Sequence, residues 1–357
     1  MQPSHLRGSR RDIGLEHGRA HAPLIHASID VYDRLFQDFV GLDWEQARRE
    51  AERFGAMIEK RFPAILEEMA GIAEGAGLTF ADILTLNCRS EISLTRASGG
   101  CSAFALERGG NQWLAQNWDW RADQLDNVVA LHIEGDDAAP LVSIGEAGMV
   151  AKIGMNAHGI GVCLNAIRSR TCGEGLPIHM ALRKILESPD PASARAVATD
   201  SRVCSPAHFL VASGDGQAAG LEVNPGEPGV LGPRGGAVTH TNHLYAAAVT
   251  CRIEDFPRPD SHPRLERLDT LLGGLAESAP ASEAALFEIL ADHDNHPQSI
   301  CRHFNPDQPA DERMETLFAV VMNLTERRLT LRHGKPCEAT EGLTLTLPLG
   351  QERRATQ

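Results

Sequence analysis

Near residue 100 the chain changes its period, and that break constrains the fold more than any other feature of its 357 residues. Before it, apolar residues recur at three- and four-residue spacing. Trp44, Ala47, Ala51, Phe54 and Ile58 share one helical face behind a capping-box start at Asp43 and Gln46. Pro63 opens a second helix that carries Ile65, Leu66, Met69 and Ile72 and stops near Gly75 and Gly77, while Thr79 and Asp82 cap a third through Leu86. From Cys101 the pattern becomes that of short strands at 101–107, 111–118, 127–134, 140–144, 149–155 and 159–164, broken by glycine, aspartate and asparagine. Helices return at 177–188 and 191–200, behind Pro177 and Pro191, and strands at 207–213, 218–223 and 236–241. Helices at 263–273 and 282–292 and a hairpin at 316–324 and 327–332 complete the chain. Helices, then strands, then both again predict an α+β sandwich with sheets packed between helical layers. The loops Ala276–Ala281 and Asn305–Asp311 are short enough to lie inside one domain.

Charge narrows the function. With 34 basic and 48 acidic side chains the net charge is −14, so the overall field offers no grip on nucleic acid or anionic lipid. No apolar run approaches the roughly 20 residues of a membrane helix, and Met1–Arg7 lacks a signal-peptide core, so a soluble, cytoplasmic protein is expected. The eight cysteines form no CxxC pair, and in a reducing compartment most read as small core residues.

Cys101 stands apart. It opens the first predicted strand directly after Gly99 and Gly100, and the strand turns back at Gly109-Gly110 into Gln112-Trp113-Leu114-Ala115-Gln116-Asn117-Trp118-Asp119. Pairing about that turn sums to 219, which sets Cys101 opposite Trp118 and places Asn117 and Asp119 beside the thiol. A cysteine nucleophile needs a base and an orienting partner, and a neighbouring carboxylate meets part of that need. A buried structural cysteine with Asp119 capping a turn satisfies the same pattern.

Beyond Cys101, further segments carry a resemblance. They are Ile13-Gly14-Leu15-Glu16-His17-Gly18, Leu86-Asn87-Cys88-Arg89-Ser90-Glu91, Gly100-Cys101, Gln116-Asn117-Trp118-Asp119, Glu146-Ala147-Gly148, Gly154-Met155-Asn156, Thr241-Asn242-His243, and Asp294-Asn295-His296-Pro297 running into Ser299-Ile300-Cys301-Arg302. In this order they resemble the acyl-coenzyme A:6-aminopenicillanic acid acyltransferase family of self-processing N-terminal-nucleophile enzymes, which includes β-alanyl-amine hydrolases. The resemblance covers nearly the whole chain. It implies a four-layer αββα sandwich and a precursor cut between Gly100 and Cys101 into a mainly helical small chain, 1–100, and a catalytic large chain, 101–357, that stay associated as one compact domain.

The resemblance further implies that Cys101 becomes an N-terminal nucleophile with its own α-amine as base; that amine titrates at about 7.7 to 8, near working pH. The family's acidic partner falls on Asp119, its oxyanion-binding asparagine on Asn242 and its arginine on Arg313, just before Thr316-Leu317-Phe318. The expected activity is hydrolysis or transfer of the acyl group of a small N-acyl amine or amide through a Cys101 thioester, without metal or organic cofactor. Acyl-coenzyme A thioesters are possible substrates. A penicillin-type, acyl-coenzyme A-dependent acyltransferase is one alternative, and a non-catalytic binding relative of the same fold is another. Around Arg313 the family's small residues and serine give way to Glu312, Met314 and Glu315, which favours hydrolysis over transfer to a penicillin nucleus.

Other features are read more plainly. His240 and His243 lie at a strand end, and His293, His296 and His303 fall within eleven positions, but neither set has the one-face helical spacing of a metal motif, so no metal is expected. Trp118 or Trp120 is read as packing the sheet or lining a pocket. Arg48–Arg53 reads as a solvated helix face.

Overall fold

Three helix starts follow from their caps. In a computed structural model that describes residues 1–93, 99–200, 202–275, 280–309, 313–339 and 341–349, Ser9, Asp43 and Thr79 each accept from the backbone three residues on, and Asp12, Gln46 and Asp82 return the bond. The elements run β1 (Ser4–Gly8), α1 (Arg10–Val40), α2 (Trp44–Arg61), α3 (Ala64–Ala76), α4 (Phe80–Asn87), α5 (Arg89–Ser93), β2 (Ser102–Arg108), β3 (Asn111–Trp120), β4 (Val128–Gly135), β5 (Leu141–Glu146), β6 (Ile153–Asn156) and β7 (Ile160–Ala166). They continue through α6 (Ile178–Leu186), α7 (Pro191–Asp200), β8 (Ala207–Ser213), β9 (Ala218–Val223), β10 (Gly229–Leu231), β11 (Ala237–His240), α8 (Ala247–Thr250), α9 (Ser261–Gly273), α10 (Glu283–Leu290), β12 (Glu315–Asn323), β13 (Arg328–His333) and β14 (Leu343–Thr346).

The strands of the middle segment divide between two sheets. β2 and β3 lie in a six-stranded sheet ordered β11-β2-β3-β12-β13-β14, whereas β4 to β7 lie in an eight-stranded sheet ordered β1-β4-β5-β6-β7-β8-β9-β10. The crossing is made by the 3-10 turn Ala122–Asn127 after β3. β1, which helical periodicity gave no reason to expect, completes the edge of the larger sheet parallel to β4. α1, α6 and α7 cover that sheet, with α3 packed on α1 behind it, while α9 and α10 cover the smaller one, so the order is helix, sheet, sheet, helix.

Side-chain alternation explains the layers. From β2 and β3, Ala103, Ala105 and Leu114 enter the core between the sheets, whereas Phe104, Leu106, Trp113 and Ala115 meet Leu268, Leu272, Leu286 and Phe287 of α9 and α10. Burial of each large side chain contributes about 1.5–3 kcal/mol. Gln116 stitches the sheets together, donating to the Leu164 carbonyl at 2.5 Å and accepting from the Leu164 amide at 3.0 Å. In the outer helical layer, α1 and α3 touch through glycines. A Cβ on Gly14 would stand 2.0 Å from the Glu68 carbonyl oxygen, and one on Gly75 would stand 2.4 Å from that of Leu15, so only glycine permits this approach. Among the described residues no single helix is long and apolar enough to cross a membrane.

Candidate active site

The Gly109-Gly110 turn, with φ of +63° and +75°, sets the register that delivers the thiol. Ser102 pairs with Asn117, so the predicted sum of 219 holds and Cys101 falls one step beyond the ladder, beside Trp118. Cys101 is 2 % exposed. Its carbonyl accepts from Arg264 Nη1 at 2.7 Å and from Asn165 Nδ2 at 3.3 Å. Burial pushes its thiol pKa up, and the Asp119 charge adds to this, while a bond from the Asp119 backbone works the other way. Of the two flanking polar residues, Asn117 turns away and donates to the Leu290 and Ile300 carbonyls at 2.7 and 2.9 Å.

Asp119 is fully buried and held on both oxygens. Thr316 Oγ1 donates to Oδ1 at 2.7 Å, and Arg302 Nε donates to Oδ2 at 3.3 Å. Burial pushes its carboxyl up to about 6 against the pull of Arg302 and Arg264. Arg302 also pairs with Asp260, which in turn binds Arg264 Nε at 2.9 Å. Burial opposes the charge on Asp260, but Arg264 and Arg302 outweigh it and hold its carboxyl below the usual range. Arg264 then donates from Nη2 to Asn242 Oδ1 at 3.0 Å. A continuous chain of buried charge and amide thus runs from Asp119 through Arg302, Asp260 and Arg264 to Asn242 and the Cys101 carbonyl.

Asn242 is oriented rather than free. Its backbone amide donates to Ser261 Oγ at 2.9 Å, and its Nδ2 donates to the Ala166 carbonyl at 2.9 Å. Only one of its two amide protons has an acceptor among the described residues. Ala166 lines a small pocket with Cys101, Gly99, Arg89, Ser90, Ser93, Trp118, Trp120, Lys152 and Leu164. The two cations of this lining share one buried carboxylate: Glu146 Oε2 accepts from Lys152 Nζ at 2.9 Å, and its Oε1 accepts from Tyr32 at 2.5 Å and pairs with Arg89 at 3.0 Å. Lys152 Nζ lies 3.1 Å from the centroid of Trp118, and Arg89 caps Trp120 at 5.4 Å. Burial pulls Lys152 down to about 7 although Glu146 supports its charge. A larger cleft among β10, β11 and α9 contains neither Cys101 nor Asp119, and the chemistry gathers at the smaller pocket.

The structure does not bring one of the expected residues, Arg313, to the carboxylate. Arg313 does not reach Asp119: its Nε and Nη2 donate to the Gln308 and Pro306 carbonyls, both at 2.8 Å. The bulge between Thr316 and Phe318 sets Thr316 opposite Asp119, so the strand presents a hydroxyl to the carboxylate while Arg313 lies before its start. Arg302 makes the contact instead. Glu315 is paired with Lys335 at 2.9 Å, and Glu312 lies outside the described residues. Arg264, Asp260, Asn165 and Thr316 were not singled out from sequence as site residues.

A six-stranded and an eight-stranded sheet stacked between helices, with a buried cysteine at the head of an inner strand, define the N-terminal-nucleophile class of αββα sandwich. The fold matches a conjugated bile acid hydrolase from Clostridium perfringens with a TM-score of 0.51 and 10% identity, over 69% of this chain and 92% of that one. A penicillin V acylase from Agrobacterium tumefaciens gives a TM-score of 0.47 at 14% identity, over 65% of this chain and 82% of that one. The family profile described as acyl-coenzyme A:6-aminopenicillanic acid acyl-transferase matches residues 106–338. The 40 kDa form of acyl-coenzyme A:6-aminopenicillanic-acid-acyltransferase from Emericella nidulans is 30% identical over 346 residues, 95% of this chain and 94% of its own. The chain belongs to that acyltransferase family.

Proposed function

We propose that the chain cuts itself between Gly100 and Cys101 and then works as an N-terminal cysteine amidohydrolase or acyltransferase on a small N-acyl amine or amide. The observation that carries this reading is the seat of Gly100. A Cβ there would fall 2.5 Å from Arg302 Nε, so any larger residue before Cys101 would displace the guanidinium that holds Asp119. In self-cleavage the Cys101 thiol attacks the Gly100 carbonyl carbon, the Gly100–Cys101 amide breaks, and its nitrogen takes a proton to become the new α-amine. Water then hydrolyses the thioester, leaving the Gly100 carboxylate and the free thiol.

In turnover the same thiol attacks the substrate carbonyl, with the α-amine taking its proton and passing it to the departing amine. Asn242 is placed to donate its free amide proton to the oxyanion, and Asp119, fixed by Arg302 and Thr316, holds the α-ammonium in register. Water or an acceptor amine completes the reaction on the thioester. The two fragments stay associated because α1 and β1 remain locked to the large chain. His17 Nε2 accepts from the Gly148 amide at 3.0 Å, Tyr32 donates to Glu146, and Arg10 pairs with Glu187.

A penicillin-type reaction with acyl-coenzyme A is the second reading, supported by the activity for which the relative from Emericella nidulans is named, which matches nearly the full length. The test is a steady-state comparison of amine release from a set of small N-acyl amines with acyl transfer from an acyl-coenzyme A thioester to 6-aminopenicillanic acid. Amine release with a trapped acyl adduct on Cys101 is the expected result. A higher kcat/KM for penicillin formation would favour the second reading, and no turnover of either would overturn both.

A further inference from the structure

The loop that carries Arg302 brings together four side chains with no part in the chemistry above. His293, Cys301, His303 and Cys337 have one ligand atom each within 4.8 Å of all the others. The two His Nε2 atoms are 3.0 Å apart and the two sulfurs 3.5 Å apart, and His303 Nε2 lies 3.4 Å from Cys337 Sγ and 3.9 Å from Cys301 Sγ. We infer that these residues form a structural zinc site of the Cys2His2 type.

Four of the six separations between these atoms approach the edges of a tetrahedron, and the two from His293 to the sulfurs lie within 4.8 Å. Zinc bonds of about 2.3 Å to sulfur and about 2.0–2.1 Å to nitrogen give edges of about 3.8 Å between sulfurs, about 3.3 Å between nitrogens and about 3.6 Å between unlike ligands. The four separations given above lie within a few tenths of an ångström of their edges. Two thiolates balance the charge of the ion, and two sulfurs with two imidazoles are the donor set that selects zinc. Both thiols are free, and their separation is far beyond the about 2.05 Å of a disulfide. The other ring nitrogen of His303 lies 3.9 Å from Glu338 Oε1, within ion-pair reach but too far for a hydrogen bond.

The backbone folds to assemble the set. Cys301 donates its amide to the Asp292 carbonyl at 3.0 Å and His303 donates to that of Pro297 at 3.1 Å, so residues 293, 301 and 303 converge, and Cys337 arrives from the turn after β13. The sequence expectation of no metal is therefore revised. Helical spacing was the wrong criterion, because the ligands come from a loop and from a second segment 34 residues beyond His303. The ion braces the chain on both sides of Arg302, whose amide donates to Thr316 Oγ1 at 2.9 Å and whose side chain holds Asp119.

The experiment is elemental analysis of the full chain, expressed with supplemented zinc and dialysed into metal-free buffer, with cobalt substituted for zinc in a parallel sample. Wild type and Cys101→Ala are both measured, so the result is independent of self-cleavage. About one zinc per chain is expected in each, with the thiolate-to-cobalt charge-transfer band and the intense visible absorption of a tetrahedral site. Cys337→Ser and His293→Ala, both at exposed positions, should fall to background metal while their melting transitions remain cooperative. Absence of zinc from wild type, zinc retained unchanged in both variants, or a Cys301–Cys337 disulfide in peptide maps of metal-free protein would overturn the assignment.

Discussion

Among the described residues, a network of buried arginine and carboxylate in the outer helical layer and another that ends at Cys101 share one chemistry but differ in what they reach. In the outer helical layer, Arg183 binds Glu68 through two bonds of 2.7 and 2.8 Å and Glu187 through a third of 2.6 Å, and Arg10 joins Glu187 to Asp137. That network ties α1, α3 and α6 and ends at Asp137, 51% exposed, at the surface. The network of Asp119, Arg302, Asp260 and Arg264 ends instead on Asn242 and the Cys101 carbonyl, at the wall of a pocket. Burial raises the pKa of both Glu68 and Asp119, so a displaced titration marks each equally. Buried charge alone is therefore no sign of catalysis; the adjoining thiol, glycine seat and amide donor make the difference.

The comparison breaks most sharply at Arg183. Arg183→Met strips buried Glu68 of its two short bonds and leaves it only the 3.4 Å contact with Arg10, and should lower stability by about 3–5 kcal/mol in denaturant melts while the folded fraction keeps its kcat. Asn242→Ala should do the opposite, lowering turnover by about 10² to 10³ with little change in melting; near-normal kcat would remove Asn242 from the oxyanion site. Arg302→Lys, which keeps charge but loses the planar fork, should slow turnover more than it lowers the melting temperature. Equal loss of both would make the Arg302 network another structural brace.

A pH profile separates the networks more finely. With Asp119 raised from 3.8 to about 6, the folded state holds a proton that the unfolded chain has released, so this group's contribution to stability is full below 3.8 and lost as pH rises through 6. Asp119→Asn should flatten that fall in melts taken between pH 4 and 7. A profile unchanged by the substitution would contradict the raised carboxyl. The smallest effect is expected at Arg313, where lysine can replace the bonds to two loop carbonyls, so Arg313→Lys should leave turnover within about twofold, since surface changes of this kind stay within ±0.5 kcal/mol.

What the sequence made legible was local. The caps at Asp43 and Thr79, the Gly109-Gly110 turn and the register of Cys101 with Trp118 all rest on neighbours within a few residues, and the structure keeps them. Failures came where distant segments decide. β1 has no partner until β4, more than 120 residues later, and β2 to β7 alternate in the same way whichever sheet they join. Arg302 lay inside a quoted segment, but its role depends on Asp119 and Asp260 arriving from a strand and a helix start. Arg313, where the resemblance puts the family's arginine, lies before β12, and the Thr316 hydroxyl occupies the place beside Asp119.

The central claim is that the site first acts on its own chain, and intact-mass measurement of purified protein tests it without any substrate. Wild type should resolve into fragments of residues 1–100 and 101–357 that co-elute under native conditions and separate on denaturation, while Cys101→Ala remains a single chain. Wild type that keeps one covalent mass of 357 residues after prolonged incubation would contradict the account.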